Sequence, residues 1–288
     1  MGTAQSKTDP PPRTLLHQFG CTIDIDDFQH KRCGVADSAI TKDILTFCTH
    51  LHGSPEINLE GKRVALIICN TYTSSKYQLG TGPLSDSFTA AAYLKELNFA
   101  VYFARNPTRK EYKEYIKLFF EAKAENIFIY YTGHSETVSA GSEEDAGKDE
   151  SLIFEDGPLM DEELAELISK SKKDENSVIT MLNECCHSGN TWNIKGTAFS
   201  SYTMPKKLIL ISSIRANSTT PSSVGSKDHG LFSFYFFRLV NDNQGITYPK
   251  LESEINHYLA KHQQYIIKFS TTPELLNGEV LPKYEVPK

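Results

Sequence analysis

Long apolar runs are missing from this 288-residue chain: the longest are of strand length, well short of the ~18–20 residues needed to span a bilayer. Nothing near residue 1 has the apolar core of a signal peptide. Basic residues are in deficit, with 30 Lys+Arg against 36 Asp+Glu and a net charge of −6. That argues against a nucleic-acid binder, which needs clustered cations. No glycine-rich phosphate loop follows the first strong strand, where Asn70-Thr71-Tyr72-Thr73 stands instead, and a nucleotide-binding α/β protein is excluded on that ground. The six cysteines (21, 33, 48, 69, 185 and 186) form no Cys-x-x-Cys pair and no zinc-type Cys/His spacing. They are expected to be free thiols in a reducing, cytoplasmic setting.

Apolar residues, 39% of the chain, are enough to build a sizeable core. Residues 1–60 read as a flexible arm, carrying Pro10-Pro11-Pro12, and a small extension with a helical stretch from about Asp37 to Leu51. From residue 61 strands and helices alternate. Arg63–Cys69 is a continuous apolar strand, of the kind covered on both faces. A helix then runs from Asp86 to Leu97, with Asp86 able to serve as its N-cap. A strand over Ala100–Ala104 and a helix over Thr108–Lys123, capped by Thr108, come next. Asn126–Tyr131, Leu152–Phe154, Ser177–Leu182 and Lys207–Ser212 read as further strands, and Asp161–Lys170 as a helix. Helices near 230–241 and 248–263 and a strand near Tyr265–Phe269 complete the pattern. Such alternation predicts an α/β fold with a mostly parallel central sheet flanked by helices.

In such sheets chemistry gathers past the carboxyl ends of the strands. Strand 126–131 leads to His134 on a Gly-containing turn, and the strand from Ser177 leads to Cys186, followed by the small residues Ser188 and Gly189. If the strands are neighbours, imidazole and thiol emerge at one sheet edge as base and nucleophile. A buried thiol and an unrelated loop histidine is the alternative, and the adjacent Cys185 is a rival nucleophile.

These segments resemble metacaspases, caspase-like cysteine peptidases of clan CD. Tyr130-Tyr131-Thr132-Gly133-His134 is similar to the family's histidine segment, and Glu184-Cys185-Cys186-His187-Ser188-Gly189 to its cysteine motif. Leu210–Thr220 and His229-Gly230-Leu231-Phe232 are similar to its small-subunit region. The short connection from Gly189 to Lys207 resembles the type I layout. The resemblance implies a caspase-like fold over 61–288, with a large-subunit region at about 61–195 and a small-subunit region at about 206–288. It implies a Cys-His dyad with His134 as general base and Cys186 as nucleophile. It also departs from the family: Ser135 stands where a glycine usually follows the histidine, and Glu184 replaces an aspartate. A catalytically impaired caspase-fold module that binds or regulates partners is therefore the alternative to an endopeptidase.

The same resemblance places Asp86, Thr132 and Glu184 around the pocket for the residue preceding the scissile bond. Carboxylates there suit Arg or Lys, in protein or peptide substrates. Between Glu143 and Glu163 the chain holds ten Asp/Glu and a single Lys. This is either a solvated acidic loop or, as the resemblance implies, a calcium site using Asp149, Asp161, Glu162 and Asn193. No organic cofactor is implied. Lys195, Lys206 and Lys207 are candidate self-cleavage points. Met1-Gly2-Thr3-Ala4-Gln5-Ser6 fits the myristoylation pattern at Gly2, which supports at most reversible membrane association.

Overall fold

The computed structural model describes residues 36–52, 57, 59–61, 63–139, 148–172, 174–185, 202–215, 230–260 and 264–282. Helix α1 (Asp37–Ile44) leads into strand β1 (Cys48–His50); β2 (Arg63–Cys69), α2 (Gly82–Glu96), β3 (Ala100–Arg105) and α3 (Arg109–Phe120) follow. Next come β4 (Asn126–Gly133), β5 (Ser135–Ser139), β6 (Lys148–Phe154), β7 (Gly157–Met160) and α4 (Asp161–Lys170). The chain then forms β8 (Val178–Cys185), β9 (Leu208–Arg215), α5 (Leu231–Asp242), α6 (Tyr248–Leu259) and β10 (Gln264–Ser270), and ends in a 3-10 turn, Pro273–Asn277.

Seven strands form one sheet in the order β1-β3-β2-β4-β8-β9-β10. All neighbours are parallel except β10, which runs antiparallel to β9. Every residue of β2 is buried, as required of a central strand with helices on both sides. The two-residue period divides its neighbours between faces. Ile67, Cys69, Tyr130 and Leu182 pack with α1, α2, α5 and α6. Ile68, Tyr131, Met181 and Cys185 pack with α3 and α4. Each aliphatic or aromatic side chain taken fully out of water contributes about 1.5–3 kcal/mol, so these two layers dominate the stability. Helix α3 is held at its start by a capping box, in which the Thr108 hydroxyl accepts from Glu111 N–H and the Glu111 carboxylate accepts from Thr108 N–H.

Several elements differ from the sequence reading. Pro83 opens α2 at Gly82, its fixed φ suiting the first turn, so Asp86 lies inside the helix and does not cap it. α1 stops at Ile44, and Cys48–His50 forms an edge strand on β3, because Thr46-Phe47-Cys48-Thr49 favours extended backbone. β4 and β8 run on to Gly133 and Cys185, past their apolar stretches. A small antiparallel sheet, β5-β6-β7, follows His134 directly. Its first strand, Ser135-Glu-Thr-Val-Ser139, lacks the apolar run that marks a buried strand.

Candidate active site

β2, β4 and β8 end side by side, and their register sets Cys69, Thr132 and Glu184 in one row across the sheet. The last pair of β4 and β8 is Gly133 with Cys185. The residues that follow in the chain are His134 and Cys186, so the topology makes the two strands neighbours. Cys186, Asn193, Lys195 and Gly2 lie outside the described residues.

His134 is half-buried beneath the loop after β2. Its ring Nε2 lies 2.9 Å from the Tyr77 carbonyl oxygen. A carbonyl only accepts, so Nε2 carries the hydrogen and Nδ1 is the basic nitrogen of the neutral ring. The imidazole clusters with the rings of Tyr72 (5.2 Å) and Tyr77 (5.7 Å), which also touch each other at 5.8 Å. Ser135, next in the chain, is buried, and its hydroxyl has no hydrogen-bond partner among the described residues.

Beside this turn, on the α2/α5 face, two carboxylates are buried together: Asp86 of α2 and Glu184 of β8, 2% and 9% exposed. Gly230 N–H donates to Asp86 Oδ2 at 2.7 Å, and Ser233 N–H donates to Glu184 Oε2. Both donors belong to the start of α5, whose positive end faces the acids. Burial, and then the Glu184 charge, hold the Asp86 carboxyl well above the usual carboxylate range, against the lowering effect of the Gly230 bond. Among the described residues Asp86 Oδ1 has no hydrogen-bond partner. Thr132, between the two acids' elements, is also buried. A Cβ on Gly230 would lie 2.5 Å from Glu184 Cδ and 2.8 Å from Asp86 Oδ2, so this close approach admits only glycine.

The structure brings together His134, Asp86, Thr132 and Glu184. It separates them from Cys185, which is buried against Tyr112 and Tyr131 on the opposite face. Burial likewise pushes the Cys48 and Cys69 thiols up to about 12, far from thiolate at neutral pH. Of the calcium candidates, Asp161 is buried at the start of α4, and its Oδ1 accepts from Glu162 N–H at 2.8 Å. Asp149 lies in β6, where its backbone pairs with Val138; its side chain is outside the described residues. Among the described residues no three His, Cys, Asp or Glu gather as a metal site, and no helix is long and apolar enough to cross a membrane. Lys206 and Lys207 are held in place: the Lys206 carbonyl accepts from the Thr271 hydroxyl at 2.9 Å, and the Lys207 carbonyl accepts from Ile179 N–H at 2.9 Å. Tyr72, Tyr77 and Ser233 carry no functional reading in the sequence, and Gly230 is named there only within the His229–Phe232 segment. Gly230 just ahead of an apolar helix was the only visible signal.

A mostly parallel central sheet with helices on both faces, in this strand order, is the caspase-like fold. Solved structures agree in fold. A protein from Geobacter sulfurreducens, GSU0716, superposes with a TM-score of 0.61 at 20% identity, covering 78% of this chain and 100% of its own. The Drosophila initiator caspase Dronc gives 0.56 at 12% identity, covering 81% and 90%. Caspase-1 from Spodoptera frugiperda gives 0.55 at 15%, covering 83% and 97%. No curated protein matches the sequence. The caspase-domain family model matches residues 62–283, and the chain belongs to that family of cysteine peptidases, which act on protein substrates.

Proposed function

We propose that the protein is a metacaspase-type cysteine endopeptidase that cleaves after Arg or Lys. The observation that carries this reading is the buried Asp86–Glu184 pair, in which Asp86 projects from α2 and Glu184 stands in the sheet row of Thr132, two residues before His134. Asp86 Oδ1, without a hydrogen-bond partner among the described residues, is an acceptor for a guanidinium or ammonium. An aspartate side chain entering there would meet like charge, which disfavours it strongly.

In this reading the Cys186 thiol gives its proton to His134 Nδ1, and the thiolate attacks the scissile carbonyl. The histidine returns that proton to the departing amine, leaving a thioester that water hydrolyses to restore the thiol. The Tyr77 carbonyl fixes the tautomer that makes Nδ1 the base and stabilises the imidazolium once formed. Stimulation by calcium through Asp149, Asp161, Glu162 and Asn193 is supported by the family resemblance, self-processing at Lys195 by a lysine in a polar connection that suits the acid pair, and reversible membrane attachment through Gly2 by the Met1–Ser6 pattern. With Asp161 Oδ1 already engaged by a backbone N–H, no catalytic step is assigned to the ion. Short reporter peptides ending in Arg, Lys or Asp, hydrolysed with and without calcium, test the proposal. Turnover of Arg and Lys reporters but not Asp is expected; turnover of Asp reporters alone, or of none, refutes it.

A further inference from the structure

We infer that Tyr72 and Tyr131 are positioning residues for His134, gripping its main chain from both sides, and that Asn106 holds Tyr72 in that grip. The inference rests on the reading of His134 as general base.

The Tyr72 hydroxyl accepts from His134 N–H at 2.7 Å and donates to the Ile153 carbonyl at 2.9 Å. The Tyr131 hydroxyl donates to the His134 carbonyl at 2.8 Å and lies 3.0 Å from the same Ile153 carbonyl. The phenols thus reach both main-chain polar groups of the histidine, whose carbonyl also accepts from Ile153 N–H at 3.0 Å, and both phenols are tied to β6. Their side chains are 3% and 0% exposed, and burial pushes both hydroxyls up, so they stay protonated. The grip explains Gly133. A Cβ there would lie 2.8 Å from each hydroxyl, so the phenols fill the space a side chain would need.

Tyr72 reaches this place only through an unfavourable backbone. Its φ is +57°, the left-handed region that bulky residues avoid, at a cost on the order of 1–2 kcal/mol. Asn106 Oδ1 accepts from both Thr71 N–H (2.7 Å) and Tyr72 N–H (3.1 Å), which locks the turn. Asn106 is itself left-handed, at φ +47°, and its N–H is anchored on the Cys69 carbonyl at 2.9 Å. Asn tolerates that region well. Its side chain is the acceptor that two otherwise idle N–H groups require. Strain held in place beside a group that must be aimed is characteristic of functional turns, and proton transfer demands such aim.

The test uses the full chain with Tyr72→Phe, Tyr131→Phe, Asn106→Ala and Asn106→Asp. It reads kcat and KM on an Arg reporter, and hydrogen exchange at the His134 amide by NMR. Tyr72→Phe should lower kcat by about tenfold with KM nearly unchanged, and speed His134 amide exchange by about tenfold. Tyr131→Phe should lower kcat in the same way. Asn106→Ala should act like Tyr72→Phe, whereas Asn106→Asp keeps the acceptor oxygen and should stay close to wild type. Wild-type kcat in Tyr72→Phe, a loss carried by KM, or unaltered amide exchange overturns the inference. The exchange readout needs no activity. A wild type that hydrolyses nothing, while Tyr72→Phe still accelerates exchange, removes the general-base reading and leaves the grip standing.

Discussion

Asp86 shows at single-residue scale how a buried carboxyl can work against the fold that contains it. Its folded-state pKa is raised, so between the unfolded value of ~3.9 and the folded one the native state holds the extra proton. Stability therefore falls as pH rises through that window. Asp86→Asn should melt close to wild type near pH 4 and increasingly above it towards pH 7, while losing about 2–5 kcal/mol of transition-state binding to Arg reporters. Thermal melts across pH and reporter kinetics read the two effects. An Asn variant less stable than wild type at pH 7 would contradict the account. The thiols divide in a similar way. Cys185 packs in the α3/α4 layer, so Cys185→Ala should cost about 1 kcal/mol of stability and keep most turnover, whereas Cys186→Ala should abolish it. Denaturant melts and Arg-reporter assays decide, and equal activity losses would be incompatible with the assignment. His134 was legible because it stands just past a strand end in the sequence itself, whereas Asp86 and Glu184 were named as site residues only through the family resemblance, Asp86 lying inside α2. Tyr72 was not, since its role depends on a left-handed turn and on Asn106, 34 residues away.

Among the elements, the apolar strands β2, β4, β8 and β9 and the capped helix α3 could be read directly, because burial on two faces and capping chemistry are local signals. β5 and β7 could not. Their pairing partner β6 supplies the reason they are strands, and that contact is invisible in a short polar segment. The start of α5 is a sharper case, since its function as donor to two acids is set by what it meets. Gly230 has φ −77°, a conformation alanine adopts without strain, so Gly230→Ala isolates the clash with Glu184 and Asp86. It should destabilise the protein by about 1–3 kcal/mol and weaken cleavage after Arg by shifting α5 off the pair. Calorimetry with reporter kinetics measures both, and an unperturbed variant would show that the approach is looser than 2.5 Å.

At the scale of the whole molecule, self-cleavage has an expected address. The bonds after Lys206 and Lys207 are pinned by Thr271, Thr272 and Ile179, and an endopeptidase must peel its substrate into an extended strand before cutting. Sequencing new N-termini after incubation with millimolar calcium should therefore find Gly196 as the first residue, in wild type and not in Cys186→Ala. A terminus at Lys207 or Leu208 instead would mean that the β9 edge opens more readily than its hydrogen bonds suggest.

The contact between α5 and the acid pair then takes on a second meaning. A cut at Lys195 would leave Asp86 and Glu184 on one polypeptide and Gly230 and Ser233 on the other, with the β8–β9 ladder bridging them. Unfolding, unimolecular in the intact chain, would become a dissociation governed by mass action. The nicked protein should elute as a single particle under native conditions, yet its melting temperature should rise with concentration. Dilution alone would then turn the enzyme off, at the point where the pair loses the N–H donors supplied by its partner fragment.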